Sequence, residues 1–353
     1  MTHASPDQLS TSKHGGQLKL ASKQYGIPLE DWIDLSTGIN PTSYPLPIMP
    51  TQCWQRLPEA NDGLEDAAQA YYGSESLLPV SGSQEAIQRL PLLFSTPQKV
   101  GILTPAYQSH LQAWQRSGHD VITLASSNIK QALPTLDILV IVNPCNPSCE
   151  QFSREALLDW HQQLQKNNGT LIVDEAFIDA TAENSLITHT PRKGLIVLRS
   201  IGKFFGLAGI RLGFVWAEKD ILQALSNKQD DWSVSHPARW AGKIALQDKN
   251  WQQQQKTELL KHAQRLVKLL EEYIFTKPLQ TGGVYFNTTN EHVLNTHLFA
   301  YFQHPRAKHI HEQLAQQGLL TRLFEDQPAL RFGLPANKKE WQRLTVALDA
   351  IRL

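Results

Sequence analysis

An α/β fold built on a mostly parallel sheet is what the sequence predicts, and three observations predict it. Short apolar runs rich in Val, Ile and Leu recur between residues 100 and 216. Longer amphipathic stretches separate them. The residues able to do chemistry stand just after the ends of the runs. Runs that bury both faces suit a parallel sheet covered by helices. Strand alternating with helix defines the α/β class.

The expected strands are residues 100–103, 121–124, 138–142, 171–173, 195–198 and 213–216. The expected helices between them are 83–94, 108–117, 154–167 and 219–225, with Ser153 capping the third. After about residue 235 the texture changes. Residues 237–273 read as one long helix, and the Gln run at 252–255 fits its solvated face. A strand at 284–287, a helix at 306–317, strands at 319–323 and 329–332, and a helix at 341–351 follow. This mixture suggests a smaller α+β lobe. The division expected is a large domain at 45–235. The small domain takes 1–44 and 236–353, including the linking helix 237–273.

Composition narrows the function. The 353 residues carry 33 Lys plus Arg against 33 Asp plus Glu, so no cationic surplus exists to grip nucleic acid. The apolar runs are too short to span a bilayer, and the first twenty residues lack the apolar core of a signal peptide. A soluble cytoplasmic protein without a membrane partner is the expectation. Three cysteines, Cys53, Cys145 and Cys149, form neither a disulfide framework nor a CxxC metal ribbon, so no metal site is expected.

Five blocks carry chemistry. In SIGKFFGLAGIRLGF, 200–214, Lys203 is embedded among Phe204, Phe205, Leu207 and Ile210. Desolvation makes a neutral amine accessible, as Schiff-base chemistry needs. Ser200 and Arg211 could hold a phosphate near it, the arginine by a bidentate fork. In LIVDEAFID, 171–179, Asp174 follows a run, at the strand end where open α/β sheets bind ligands. A carboxylate there could keep the ring nitrogen of pyridoxal phosphate protonated. In VNPCNPSC, 142–149, two Asn-Pro pairs form a rigid turn from which Asn146 can donate to a ring oxygen. In VSGSQEAI, 80–87, Gly82, Ser83 and Gln84 open a helix and present N–H groups to a phosphate. In TPAYQSH, 104–110, Tyr107 can stack on an aromatic ring.

Together these blocks resemble the fold-type I, aspartate-aminotransferase-like family of pyridoxal-phosphate enzymes over nearly the whole chain. The resemblance implies that fold, with a large domain around the sheet and a smaller α+β domain, and pyridoxal 5'-phosphate as cofactor. It makes Lys203 the lysine that carries the cofactor, Asp174 the partner of the ring nitrogen, and Asn146 the donor to the ring oxygen. Tyr107 becomes the stacked ring, and Gly82, Ser83, Gln84, Ser200 and Arg211 the phosphate cup. Arg331, in LRFGLP, matches the arginine that clamps the substrate carboxylate. A homodimer is also implied.

A closer resemblance lies in HGGQLKLASKQYGIPLEDWIDLSTGINP, 14–41, in LRSIGKFFGLAGIRLGF, in DDWSVS and in LRFGLP. These look like the threonine-phosphate decarboxylases of cobalamin biosynthesis, in the branch of the aerobic route. That family implies decarboxylation of O-phospho-L-threonine to an aminopropanol phosphate. It sets His14 and Arg322 near the substrate phosphate, with Gly15, Gly38 and Asn146 among the substrate contacts. The runner-up is an aminotransferase of the histidinol-phosphate type. A non-catalytic metabolite-binding relative ranks below, because Lys203 and Asp174 are both present.

The chain departs from its relatives at four places. Cys149 stands where most have Gly, and Phe177 where many aminotransferases have Tyr. Leu57 replaces a Tyr that usually reaches the partner subunit's phosphate, and Gly38 replaces an Asn.

Overall fold

The structure, a computed structural model, describes residues 14–275 and 293–351. The strand expected at 284–287 lies outside the described residues. The chain forms two compact units. The larger comprises Ile39–Gln264 with Leu294–Leu298, and the smaller Met1–Gly38, Arg265–Val293 and Phe299–Leu353.

The larger unit is organised by a seven-stranded sheet. Its strands are β1 (Leu77–Val80), β2 (Lys99–Leu103), β3 (Asp120–Leu124), β4 (Ile138–Val142), β5 (Thr170–Asp174), β6 (Leu195–Ser200) and β7 (Gly213–Trp216). They lie in the order β1-β7-β6-β5-β4-β2-β3. Every apolar run read from the sequence is one of these strands. From β3 to β6 all pairings are parallel, and β7 is antiparallel to both β1 and β6. β4 is buried along its whole length, and so are β6 and β7, which is why β4, β7 and the Leu195–Leu198 part of β6 are continuous apolar runs. One core gathers Ile102, Val140, Ile172, Ile196, Leu198 and Val215 with Trp114.

β1 was not expected. Pro79 breaks the pattern of LLPV, yet its position at the sheet edge tolerates a missing N–H. Ser153 caps the helix Arg154–Gln165, its hydroxyl accepting from Ala156 N at 3.2 Å. The helix expected over 83–94 is regular only for Ser83–Arg89 and tightens around Pro91. The long helix expected over 237–273 is interrupted. His236–Gln247, capped by Ser235, ends at Asp248, and Lys249–Leu270 begins anew. His236–Gln247 packs on the helix Leu64–Tyr72, tied by Arg239 to Asp62 and Glu65. The compact units divide at Gly38 and within Lys249–Leu270.

In the smaller unit, Phe299–Gln303, Ala329–Gly333 and Arg322–Phe324 form antiparallel neighbours with Ala329–Gly333 in the middle. The strand expected at 319–323 is two pieces. Leu319–Leu320 pairs in parallel with Ile33–Asp34, and Thr321 turns the chain into Arg322–Phe324. The helix Leu18–Tyr25 ends on Gly26 at φ 67°, a left-handed cap that glycine adopts without strain. It packs through Ala21 against Trp32, Ala315 and Leu320. Asn337 caps the last helix, Lys338–Ala350, and Glu340 answers it in a reciprocal cap.

Candidate active site

Parallel strands bring their carboxyl ends to one edge of the sheet, and the expected residues gather there for that reason. Tyr107 follows β2, Asn146 follows β4, Asp174 ends β5 and Ser200 ends β6. β1 runs parallel to β6 because both are antiparallel to β7, so Gly82 reaches the same edge. β7 runs the other way, so Arg211, just before its start, joins them.

Gly82 has φ 74° and ψ 156°, a conformation open to glycine. A Cβ at Gly82 would stand 2.7 Å from the Arg211 guanidinium, and one at Gly213 would stand 2.7 Å from Ser83 N. The two glycines thus let the guanidinium and the 82–84 turn approach closely. Arg211 itself has φ 55° and donates from Nη1 to Ala208 O at 3.1 Å. Gln84 faces inward, accepting from Tyr107 Oη at 3.0 Å.

Asp174 is 3% exposed. Its Oδ1 accepts from Ala176 N at 3.0 Å, and its Oδ2 lies 3.0 Å from His110 Nε2, whose N–H donates to it. His110 is buried on the helix Ser109–Arg116, one turn beyond Tyr107, and the two rings meet edge-on at 6.4 Å. The sequence reading missed His110, although the Tyr-x-x-His spacing at the start of a helix was its visible signal. Lys203 sits on the short helix Ile201–Phe204, with Nζ 5.3 Å from the centre of the Phe177 ring. Its carbonyl accepts from Asn40 N and Gly206 N, which fixes the backbone that presents the amine.

The turn after β4 is held from both sides. Asn143 exchanges hydrogen bonds with Phe152, and Cys145 N and Cys149 N bond to Glu150 O and Cys145 O. Asn146 is half-buried in this turn. Cys149 occupies the left-handed region at φ 60°, the conformation glycine serves more cheaply. Burial pushes the Cys145 thiol up to about 11, so it is not a thiolate near neutrality. Among the described residues no cluster of His, Cys, Asp and Glu is arranged to hold a metal ion.

These groups fit the cofactor that the resemblance implies. A buried carboxylate suits a ring nitrogen that must keep a proton, and a glycine turn beside an arginine suits a phosphate ester. An amine beside an aromatic face suits an aldehyde carbon.

The smaller unit holds the remaining expected residues. Arg322 and Arg331 are direct partners across antiparallel strands, and Tyr301 is the partner of Arg331 on its other side. Cross-strand partners share a face, so both guanidinium chains rise from one side of the sheet. Arg331 is buried, donates to Ser36 O and lies over the Phe299 ring at 5.2 Å. Burial lowers the Arg322 pKa from its ordinary value. Gly15 abuts the Ser36 backbone, and Gly16 N donates to Ser36 Oγ at 2.7 Å. His14 is exposed beside them, and Gly38 is buried.

The model of the aminotransferase class I and II family matches residues 55–350. Among curated proteins, the chain is 46% identical over 336 residues to a threonine-phosphate decarboxylase of Pseudomonas aeruginosa, covering 95% of this chain and 97% of that one. It is 34% identical over 346 residues to a threonine-phosphate decarboxylase of Sinorhizobium sp, covering 96% and 98%. Among solved structures it resembles histidinol-phosphate aminotransferase from Sinorhizobium meliloti in complex with pyridoxal-5'-phosphate, with a TM-score of 0.75 at 16% identity over 97% of this chain and 98% of that one. Strand order, the residues at the sheet edge and these likenesses agree: the chain belongs to the class I and II aminotransferase family.

Proposed function

We propose that the protein is a pyridoxal-phosphate-dependent decarboxylase that converts O-phospho-L-threonine to an aminopropanol phosphate and CO₂, a step of cobalamin biosynthesis. The observation that carries this reading is the direct pairing of Arg322 with Arg331. An amino acid bearing both a carboxylate and a phosphate needs two cationic anchors. Near-full-length likeness to curated threonine-phosphate decarboxylases supports the same substrate.

Pyridoxal phosphate, when bound, supplies a sink for the electrons left behind as CO₂ departs. Gly82, Ser83, Gln84, Ser200 and Arg211 would hold its phosphate, and Tyr107 would pack against its ring. Asn146 would donate to the ring oxygen, Asp174, bonded to His110, would face the ring nitrogen, and Lys203 Nζ would carry the cofactor. Arg331 would hold the substrate carboxylate and His14 with Arg322 its phosphate, with Gly15, Gly38 and Asn146 as further substrate contacts. A proton takes the place of the lost carboxylate at Cα. In this reading the larger unit is the cofactor-binding domain, and the protein works as a cytoplasmic homodimer. No helix among the described residues is long and apolar enough to cross a membrane.

Two measurements test the reading. Purified protein with pyridoxal phosphate absorbs in the visible, and borohydride fixes the cofactor on Lys203; a label on another lysine overturns that role. Incubation with O-phospho-L-threonine releases CO₂ faster than histidinol phosphate passes its amino group to a keto acid. The reverse ranking makes the protein an aminotransferase.

A further inference from the structure

An ion cluster lies on the reverse face of the sheet, behind the residues that would meet the cofactor. Side chains alternate along a strand, so Asp174 and Glu175 leave β5 on opposite faces, as Arg199 and Ser200 leave β6. β5 and β6 are parallel neighbours with Asp174 opposite Leu198, and Glu175 N extends the ladder by donating to Leu198 O at 2.9 Å. Glu175 and Arg199 therefore meet behind the sheet, with Arg199 Nη1 3.5 Å from Glu175 Oε2.

The cluster is closed to water. Glu175 and Asp179 are 0% exposed and Arg199 is 2% exposed. Arg199 Nη2 pairs with Asp179, Nη1 donates to Ser185 Oγ at 3.1 Å, and the guanidinium lies 4.6 Å over the Tyr72 ring. Glu175 accepts from Ser185 Oγ and from Leu186 N at 2.8 Å, and Asp179 accepts from Tyr71 Oη at 3.0 Å. Two carboxylates thus face one guanidinium. Burial pushes the Glu175 carboxyl up, and Arg199 pulls it the other way.

A buried ion pair rarely stabilises a fold more than apolar side chains of the same volume, because both charges lose their hydration. Leu195–Leu198, just before Arg199, is wholly apolar. What an ion cluster supplies here that apolar packing would not is directional fixing of two strand tips. One tip carries Asp174, and the other carries Ser200 and the turn to Lys203. We propose that Arg199 and Glu175 are positioning residues, an ionic staple across β5 and β6 that holds the Asp174 carboxylate and the Ser200–Lys203 turn in the register the cofactor needs. The inference rests on the cofactor reading of Asp174 and Lys203.

The test uses the full chain with pyridoxal phosphate and reads binding, not turnover. Arg199→Lys keeps the charge and removes the fork. Glu175→Gln keeps the shape and removes the charge. Leu157→Ala, a buried packing change on the helix Arg154–Gln165, serves as a control for lost stability alone. Each protein is titrated with pyridoxal phosphate, its visible band is followed against pH, and its melting temperature is recorded without cofactor. The staple predicts that Arg199→Lys and Glu175→Gln each weaken cofactor binding at least about tenfold. It also predicts a displacement of the pH midpoint of the band by about half a unit or more. Leu157→Ala lowers melting while leaving both unchanged. Should Arg199→Lys fail to fold, Glu175→Gln decides. Unchanged affinity and midpoint in the folded variants, or equal changes in Leu157→Ala, would overturn the staple while leaving the cofactor reading intact. Wild-type protein that binds no pyridoxal phosphate would overturn both.

Discussion

Asp174 shows how much a single side chain depends on its neighbours. A carboxylate that is to meet a ring nitrogen has to be held in one orientation. The N–H of Ala176 and the ring of His110 do this for Asp174 by hydrogen bonds of 3.0 Å each. Asp174→Asn keeps those contacts in outline and removes the charge. Turnover is expected to fall by about 10²-fold or more, and steady-state rates on O-phospho-L-threonine check it; an unchanged rate makes Asp174 structural. Arg322 is tested differently, because it would act at a distance from the reacting carbon. Binding energy gained there can be spent on orienting the bond that breaks. Arg322→Ala is expected to lower kcat/KM for O-phospho-L-threonine by at least about tenfold and to leave plain L-threonine scarcely affected. Equal losses on both substrates remove Arg322 from the phosphate. The places of Lys203, Asp174 and Asn146 just after strands were legible because each stands in a local string behind an apolar run. The contacts of His110 and Arg199 were not, because their partners are 64 and 20 residues away and meet them only through the fold.

At the scale of elements, legibility followed periodicity. Apolar runs announced β2 to β7, most plainly where both faces are buried, as in β4, β7 and Leu195–Leu198 of β6. The break at Asp248 was hidden because the amphipathic pattern runs through it; in the fold Asp248 accepts from Trp251 N at the start of the next helix and from Tyr44 Oη. The helix Ala307–Ala315 adds a consequence for stability. His311 on this helix bonds to Thr321 Oγ1 at 2.7 Å, and burial with Arg322 nearby brings its pKa down to about 4. The unfolded histidine, near its ordinary value of about 6.5, binds a proton first as pH falls. Stability from this group is therefore complete above about pH 6.5 and is lost progressively toward pH 4, by ~3 kcal/mol at most. Melting temperatures should decline over that window, and His311→Gln should flatten the decline. A slope unchanged by the substitution assigns the loss to other groups.

For the whole molecule the telling feature is where apolar surface is left in the open. Most large apolar side chains of the described residues are buried, yet Ile48, Trp54 and Leu57 are 97%, 69% and 59% exposed within ten residues of chain. Scattered exposed apolar residues are ordinary, and three within one short segment give a defined place to test for association. Arg56 in the segment pairs with Glu59. A second copy of the chain is the simplest partner, because two-fold dimers are the commonest closed assembly and bury the same patch on both subunits. Sedimentation of the wild-type protein should show a dimer at micromolar concentration. Trp54→Glu places a charge where apolar area would be buried, and desolvating it opposes association. This variant should dissociate at concentrations at least about tenfold higher than wild type, with its monomers keeping the wild-type far-ultraviolet spectrum. A wild-type monomer that is fully active would remove the dimer from the function. A Trp54→Glu dimer as tight as wild type would instead move the interface to another face of the molecule.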